Sequence, residues 1–219
     1  MKFYVLEPDG MLFGTKWAYG EDVDPLILGP APKCPKCGVA VGMMEWLPPQ
    51  RVKVSSAKPE KWGDFLWGTF TPFMVSDRFK EIYEKEGLTG IETFYPHAEI
   101  VRVGRRKSGD IPPDMPAYHL VKIPWGRANM DDEASEIERK PRDCDYCRGS
   151  PKRFERVIIQ PGSWLGDDLF IPRGLFGIVL ASQRFKEIVE AYGLKNIWLI
   201  PSERYAYDEK RPGLWYVKE

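Results

Sequence analysis

Histidine is nearly missing from this 219-residue chain, which has two, and neither sign of charge is in excess: 32 Lys and Arg balance 32 Asp and Glu. Zero formal charge argues against a dedicated nucleic-acid binder, which carries a basic surplus to meet phosphates. Long apolar runs are missing too. No stretch of 18 apolar residues occurs, and the opening MKFYVLEPDG has no apolar segment of the secretion-signal kind. A membrane span and a standard export signal are therefore both unexpected, and the expected location is cytoplasmic. Cysteine is scarce, at four residues. In a reducing compartment thiols stay free, so cysteines that come in C-x-x-C pairs read as metal ligands before they read as disulfides.

What is present is enough for a core. Hydrophobic residues make up 43% of the chain and there are eight tryptophans, too apolar a mixture for disorder. Twenty prolines and 20 glycines imply many turns and few long helices.

All four cysteines lie in CPKCG at 34–38 and CDYCRG at 144–149. Two cysteines three positions apart aim both sulfurs at one ion when the backbone between them turns tightly. Pro35 restricts the first turn, and Gly38 lets amide N–H groups point back at the sulfurs. Lys33, Lys36 and Arg148 lie beside the thiolates and would soften their charge. The pattern predicts one four-cysteine zinc site from Cys34, Cys37, Cys144 and Cys147. Two vicinal redox pairs or unligated thiols are the alternatives; a thioredoxin-like reading is weak, because neither pair opens a helix after a buried strand.

The knuckles stand far apart, and both members shift by the same 110 residues. A long insertion explains that; an internal duplication explains more. VSDRFKEIYEKEGLTGIETFYP at 75–96 matches ASQRFKEIVEAYGLKNIWLIP at 181–201, with RFKEI recurring at 78–82 and 184–188. Ser76 and Ser182 suit N-caps, and Gly87 and Gly193 suit the left-handed position after a helix. Phe79, Ile82 and Tyr83 share one helix face, as do Phe185, Ile188, Val189 and Tyr192. The strands IETFY and IWLI follow. Further strands are expected at KFYVLE, AEIVRV, YHLVKI, RVIIQ and LWYVK, and one short helix in the charged loop at 127–143. The expected fold is α+β: one compact domain over 1–219, with two related knuckle–strands–helix–strand halves, about 30–100 and 140–205, joined by a shared zinc site.

Two C-x-x-C pairs, the first followed directly by glycine, around a VSxRF…GLxGI helix and strand resemble the double-CXXCG motif family, a paralogous group of swarming soil bacteria linked to immunity proteins. The SDRFKEIYEKEGLTGIETFYP segment is also similar to a helix–strand piece of other polymorphic-toxin immunity proteins. The likeness runs from about Lys2 to Trp215. It departs from the family pattern where Arg148 precedes the glycine of the second pair, which implies a second knuckle of slightly different shape. The resemblance implies a protein that neutralises a cognate toxin encoded nearby, with Zn2+ as a structural staple.

Enzyme chemistry finds little support in the residues. His97 and His119 have no ligand partner at helical spacing, and no G-x-S-x-G, phosphate loop or G-x-G-x-x-G occurs. Asp64 lies in a W-G-D turn at 62–64, and Asp167 and Asp168 in the matching W-L-G-D-D turn at 164–168, where Leu165 is an extra residue; aspartate after glycine usually caps or turns. A zinc held by four thiolates keeps no open position for water. The basic run RVGRRKSG at 102–109 reads as a solvated hairpin tip, although a zinc-ribbon regulator or nucleic-acid-binding protein is the alternative function. Asp131, Asp132, Glu133, Glu136 and Glu138 form an acidic stretch that either mimics phosphate against the basic cleft of a nuclease toxin or is a soluble loop.

Overall fold

The computed structural model describes residues 1–10, 14–140, 144–210 and 215–217. Its first strands are β1 (Phe3–Glu7), β2 (Gly20–Asp22), β3 (Arg51–Val54), β4 (Phe65–Leu66) and β5 (Met74–Ser76), which leads straight into helix α1 (Asp77–Lys85). Next come β6 (Thr93–His97), β7 (Glu99–Val103), β8 (Tyr118–Lys122), β9 (Trp125–Asn129), β10 (Glu138–Arg139) and β11 (Pro151–Phe154). The last elements are β12 (Leu169–Arg173), β13 (Leu180–Ser182), helix α2 (Gln183–Tyr192), β14 (Trp198–Pro201), β15 (Tyr205–Asp208) and β16 (Trp215–Val217). The architecture is mixed α+β, mostly sheet with two helices among the described residues.

Both helices start as their sequence dictates. The Ser76 hydroxyl accepts from the Phe79 amide and the Ser182 hydroxyl from the Phe185 amide, each satisfying a donor that the first turn leaves free. Both end at glycine: Gly87 (φ +59) and Gly193 (φ +58) take the left-handed conformation that closes a last turn cheaply. The apolar faces bury Phe79, Ile82 and Tyr83 on one side and Phe185 and Val189 on the other. They meet in one core, where the Phe79 and Phe185 rings are 6.2 Å apart between centroids.

Each helix lies on a sheet of the same plan. One has the order β6-β8-β5-β4 and the other β14-β1-β13-β12, extended by β9. Ser76 pairs with Tyr118 in the first, and Ser182 with Phe3 in the second. The inner strands β8 and β1 both lie outside the repeated stretches, and β1 comes from the other end of the chain. Two smaller sheets, β2-β3-β7 and β10-β11-β15-β16, complete the fold.

Three local expectations differ from the structure. The IETFY strand slides two residues, to Thr93–His97, and runs through Pro96. Pro96 falls between Phe94 and His97, where the register of β6 with β8 shifts and the ladder is already interrupted, so its missing N–H is tolerated there. RVIIQ is no strand. Its amides go to scattered acceptors, Val157 N–H to the Ser202 carbonyl and Ile158 N–H to the Ser135 hydroxyl, leaving one bridge from Ile159 to Met130. The charged loop forms turns in place of a short helix: the Asp131 carboxylate accepts from the Ala134 amide, and Glu136 adopts φ +51. Residues 141–143 of that loop, and Leu214 and Lys218 of the expected last strand, lie outside the described residues.

At the end of β1, the Glu7 carboxylate accepts from the Tyr205 hydroxyl at 2.7 Å. Burial pushes the Glu7 carboxyl up from its ordinary 4.5 to about 7, against the opposing pull of that hydrogen bond. Below pH 4.5 both folded and unfolded chains hold the proton. Between pH 4.5 and 7 only the folded chain does, so stability falls as pH rises, by about 3 kcal/mol once both are ionised. Glu7→Gln keeps an acceptor for Tyr205 and removes the charge. Thermal melts should show it more stable than wild type at pH 8 and nearly equal at pH 5; equal stability at both would mean that Glu7 is solvated.

Candidate metal centre

The two knuckles share one backbone design. In the first, Gly38 N–H donates to the Cys34 carbonyl at 2.9 Å, with Gly38 at φ +73. In the second, Arg148 N–H donates to the Cys144 carbonyl at 3.0 Å, with Arg148 at φ +61. Arg148 thus holds the left-handed position that glycine holds in the first knuckle, at a cost of roughly 1–2 kcal/mol for a residue with a Cβ. Its side chain helps to keep it there: the guanidinium donates to the Met130 carbonyl and pairs with Asp132 at 3.4 Å.

The fold brings the knuckles together. Cys34 Sγ lies 3.8 Å from Cys144 Sγ, and Cys37 Sγ 3.6 Å from Cys147 Sγ. All four sulfurs lie within 4.8 Å of one another, and no disulfide joins them. These separations are far longer than a disulfide bond of about 2.05 Å. They match the edge of a sulfur tetrahedron around an ion, about 3.8 Å for bonds of about 2.3 Å. The four cysteines are placed to hold a metal ion.

Their surroundings are half apolar. Cys34 and Cys147 are buried, and Val41, Trp125, Tyr146 and Phe176 pack around the cluster. Lys36 and Arg173 lie over the Tyr146 ring, at 5.5 and 4.5 Å from its centroid. Of the cations beside the thiols, Lys36 is thus engaged with an aromatic face and Arg148 with Asp132.

The thiols are not equivalent. Burial works against a Cys34 thiolate, but the amides of Cys37 and Lys36 outweigh it and hold its pKa below the ordinary 9.0. The Cys147 amide favours a thiolate at Cys144 and holds it at about 7 despite burial. The Val39 amide favours a thiolate at Cys37, yet burial and the thiols of Cys144, Cys34 and Cys147 prevail and push it up to about 12. Four thiolates this close repel, and a doubly charged cation is what lets all of them ionise together.

The acidic stretch sits beside this centre through the Arg148–Asp132 contact and is largely neutralised from within. Arg139 grips Asp132 through two bonds, at 2.6 and 2.8 Å. Arg156 pairs with Glu136, and Lys152 with Glu138 at 3.3 Å. Asp131 is spent on the Ala134 amide. Glu133, Glu136 and Glu138 face solvent. The basic run places Arg105, Arg106 and Lys107 on an exposed turn after β7.

The aspartates of the W-G-D and W-L-G-D-D turns are buried braces. Asp64 accepts from the Ser76 hydroxyl (3.1 Å), Arg78 (2.9 Å) and the Lys195 amide (2.8 Å). Asp168 accepts from the Ser182 hydroxyl (2.7 Å), Arg184 (2.8 Å) and the Thr89 amide (3.1 Å). Asp167 takes Arg127 through two bonds, the shorter at 2.7 Å. The two histidines, which have no partner at helical spacing, come together with Asp77 in three dimensions. Only strand alternation around His97 and His119 hinted at that, since it cannot fix which strands pair.

No family model matches the chain, and no curated protein matches it.

Proposed function

We propose that this chain is a non-enzymatic, zinc-stapled immunity protein that binds a cognate toxin domain and blocks it. The cysteine constellation carries the reading. Four thiols at tetrahedral spacing are a soft donor set suited to Zn2+, and filling all four positions with sulfur leaves none for water or substrate. That favours a structural ion in a protein that works by binding. The partner class comes from the likeness of the C-x-x-C pairs and the RFKEI helices to immunity proteins.

We further read the chain as two copies of one unit with exchanged first strands. The reciprocity of the contacts supports this. Phe65 N–H donates to the Lys195 carbonyl, and Leu169 N–H to the Thr89 carbonyl. Arg78 donates to the Tyr192 carbonyl, and Arg184 to that of Glu86. Phe79 meets Phe185, and each first-knuckle cysteine meets its counterpart. A residue that touches its own equivalent is the mark of a two-fold interface. On this reading β1 opens the first copy and completes the sheet of the second, and β8 does the reverse. A shared zinc then lies between the copies.

For a nuclease toxin the proposed contact is the outward part of the acidic stretch, Glu133, Glu136 and Glu138, with Asp131 and Asp132 fixing the loop behind. Co-expression with the toxin encoded beside it should restore growth, and the two chains should co-purify. Lysine at Glu133, Glu136 and Glu138 together should slow association and weaken protection, with high salt acting alike. Unchanged affinity moves the contact elsewhere on the surface. A neighbour that neither binds nor harms cells removes the immunity reading.

A further inference from the structure

We propose that Asp77, His97 and His119 form a second metal site, separate from the cysteine centre, that takes a borderline divalent cation such as Zn2+ on two nitrogens and one oxygen. The site is assembled by pairing across strands. His97 on β6 stands opposite His119 on β8 across a register shift, and their rings are 4.5 Å apart. Asp77, the first residue of α1, reaches both: its Oδ1 is 2.9 Å from His97 Nε2 and 2.7 Å from His119 Nε2. One ligand atom from each residue falls within 4.8 Å of the others.

The hydrogen bonding of His119 points to a cation here. Its Nδ1 lies 2.7 Å from the Tyr95 carbonyl oxygen, which can only accept, so Nδ1 carries the proton. In a neutral ring Nε2 then turns a lone pair toward a carboxylate oxygen, and two acceptors 2.7 Å apart repel unless something positive lies between them. A proton on Nε2 also satisfies His119 and Asp77, with His97 Nε2–H donating to the same oxygen at 2.9 Å; a metal ion would instead take a lone pair from each of the three residues. An imidazole anchored through Nδ1–H to a carbonyl, with Nε2 free, is the usual arrangement of a histidine ligand.

Packing does not require these residues. On the other sheet, Tyr4 holds the place of His119, paired with Ala181 and Pro201, and Gln183 holds that of Asp77, directly after the Ser182 cap. There the Tyr4 hydroxyl donates to Gln183 Oε1 at 2.6 Å, a neutral bond with no ligand set. The same backbone is thus served by tyrosine, glutamine and proline, and the histidines and aspartate are an addition to it. Access suits an ion that keeps water ligands. The His119 side chain is 6% exposed and fixed, while those of His97 and Asp77 are 57% and 46% exposed. The outer two have room to spread to the roughly 3.3 Å donor spacing that bonds of about 2.0–2.1 Å demand. Two imidazoles disfavour Mg2+ and Ca2+, which prefer oxygen throughout.

The chain has only these two histidines, so nitrogen-15 imidazole spectra of the full chain are unambiguous. With the cysteines already zinc-loaded, about one further equivalent of Zn2+ should shift both Nε2 resonances together. Asp77→Asn should weaken that binding at least about tenfold. The double variant Asp77→Gln with His119→Tyr, copying the Tyr4–Gln183 pair, should melt like wild type without added zinc and lose the second equivalent. Unmoved resonances, a shift of His97 alone, or equal affinity in Asp77→Asn would overturn the site. The readout sits on histidine nuclei, so it stands apart from the fate of the cysteine centre.

Discussion

Serine at Cys34, Cys37, Cys144 or Cys147 is expected to lower the melting temperature by more than about 10 °C, and a strong chelator should do the same to the unaltered chain. Structural zinc contributes about 10–16 kcal/mol in small finger peptides, comparable with the about 5–15 kcal/mol that separates a folded domain from its unfolded chain. In a domain of about 150–250 residues each kcal/mol moves the melting point by about 2–4 °C, so losing even 5 kcal/mol is a large shift. Cys37 supplies the decisive comparison because it is exposed, whereas Cys34 and Cys147 are buried. If metal holds the knuckles together, Cys37→Ser is as harmful as Cys34→Ser. If the cysteines only fill space, Cys37→Ser is harmless and elemental analysis finds no zinc. A Cys34→Ser chain that melts like wild type would end the structural reading.

Alanine at Asp64 or Asp168 is expected to cost about 3 kcal/mol each, or roughly 10 °C. Each carboxylate is nearly enclosed, at 6% and 4% exposure, and collects a cap hydroxyl, a guanidinium and an amide from the opposite segment. Removing it leaves the hydroxyl and the amide without acceptors, at about 1–3 kcal/mol for each buried unpaired group. The guanidiniums suffer less, because Arg78 and Arg184 are 49% and 48% exposed and rehydrate. Arg184→Ala should therefore be milder than Asp168→Ala, and the double variant should cost less than the sum of the two single changes, because they share one ion pair while Arg184 keeps its own bonds to the Glu86 and Gly87 carbonyls. Chemical denaturation of the three variants measures this. A cost below about 1 kcal/mol at both aspartates would show that the braces do not hold the segments together.

Several features were decided by residues a few positions apart and so could be read along the chain. Serine before Arg-Phe-Lys-Glu-Ile caps a helix because its hydroxyl meets an amide three residues on. Glycine ends it because the left-handed turn disfavours a Cβ. The C-x-x-C spacing shapes each knuckle through its own backbone bond, and even Arg148, which stands where the first pair has glycine, takes the conformation of Gly38. The buried faces of α1 and α2 followed from spacing alone. Tertiary structure decided what meets across distance. Strand character at residues 3–7 and 118–122 was legible, but each strand can pair with many others, and only the packing of both helices into one core sets β8 beside β5 and β1 beside β13. The same holds for Asp64 and Asp168, which look like turn residues locally and become braces because the segments face each other. It holds too for Asp77, His97 and His119: 20 and 42 residues separate the aspartate from the two histidines. Their meeting depends on a register shift between β6 and β8, a property of two strands together that no local propensity encodes.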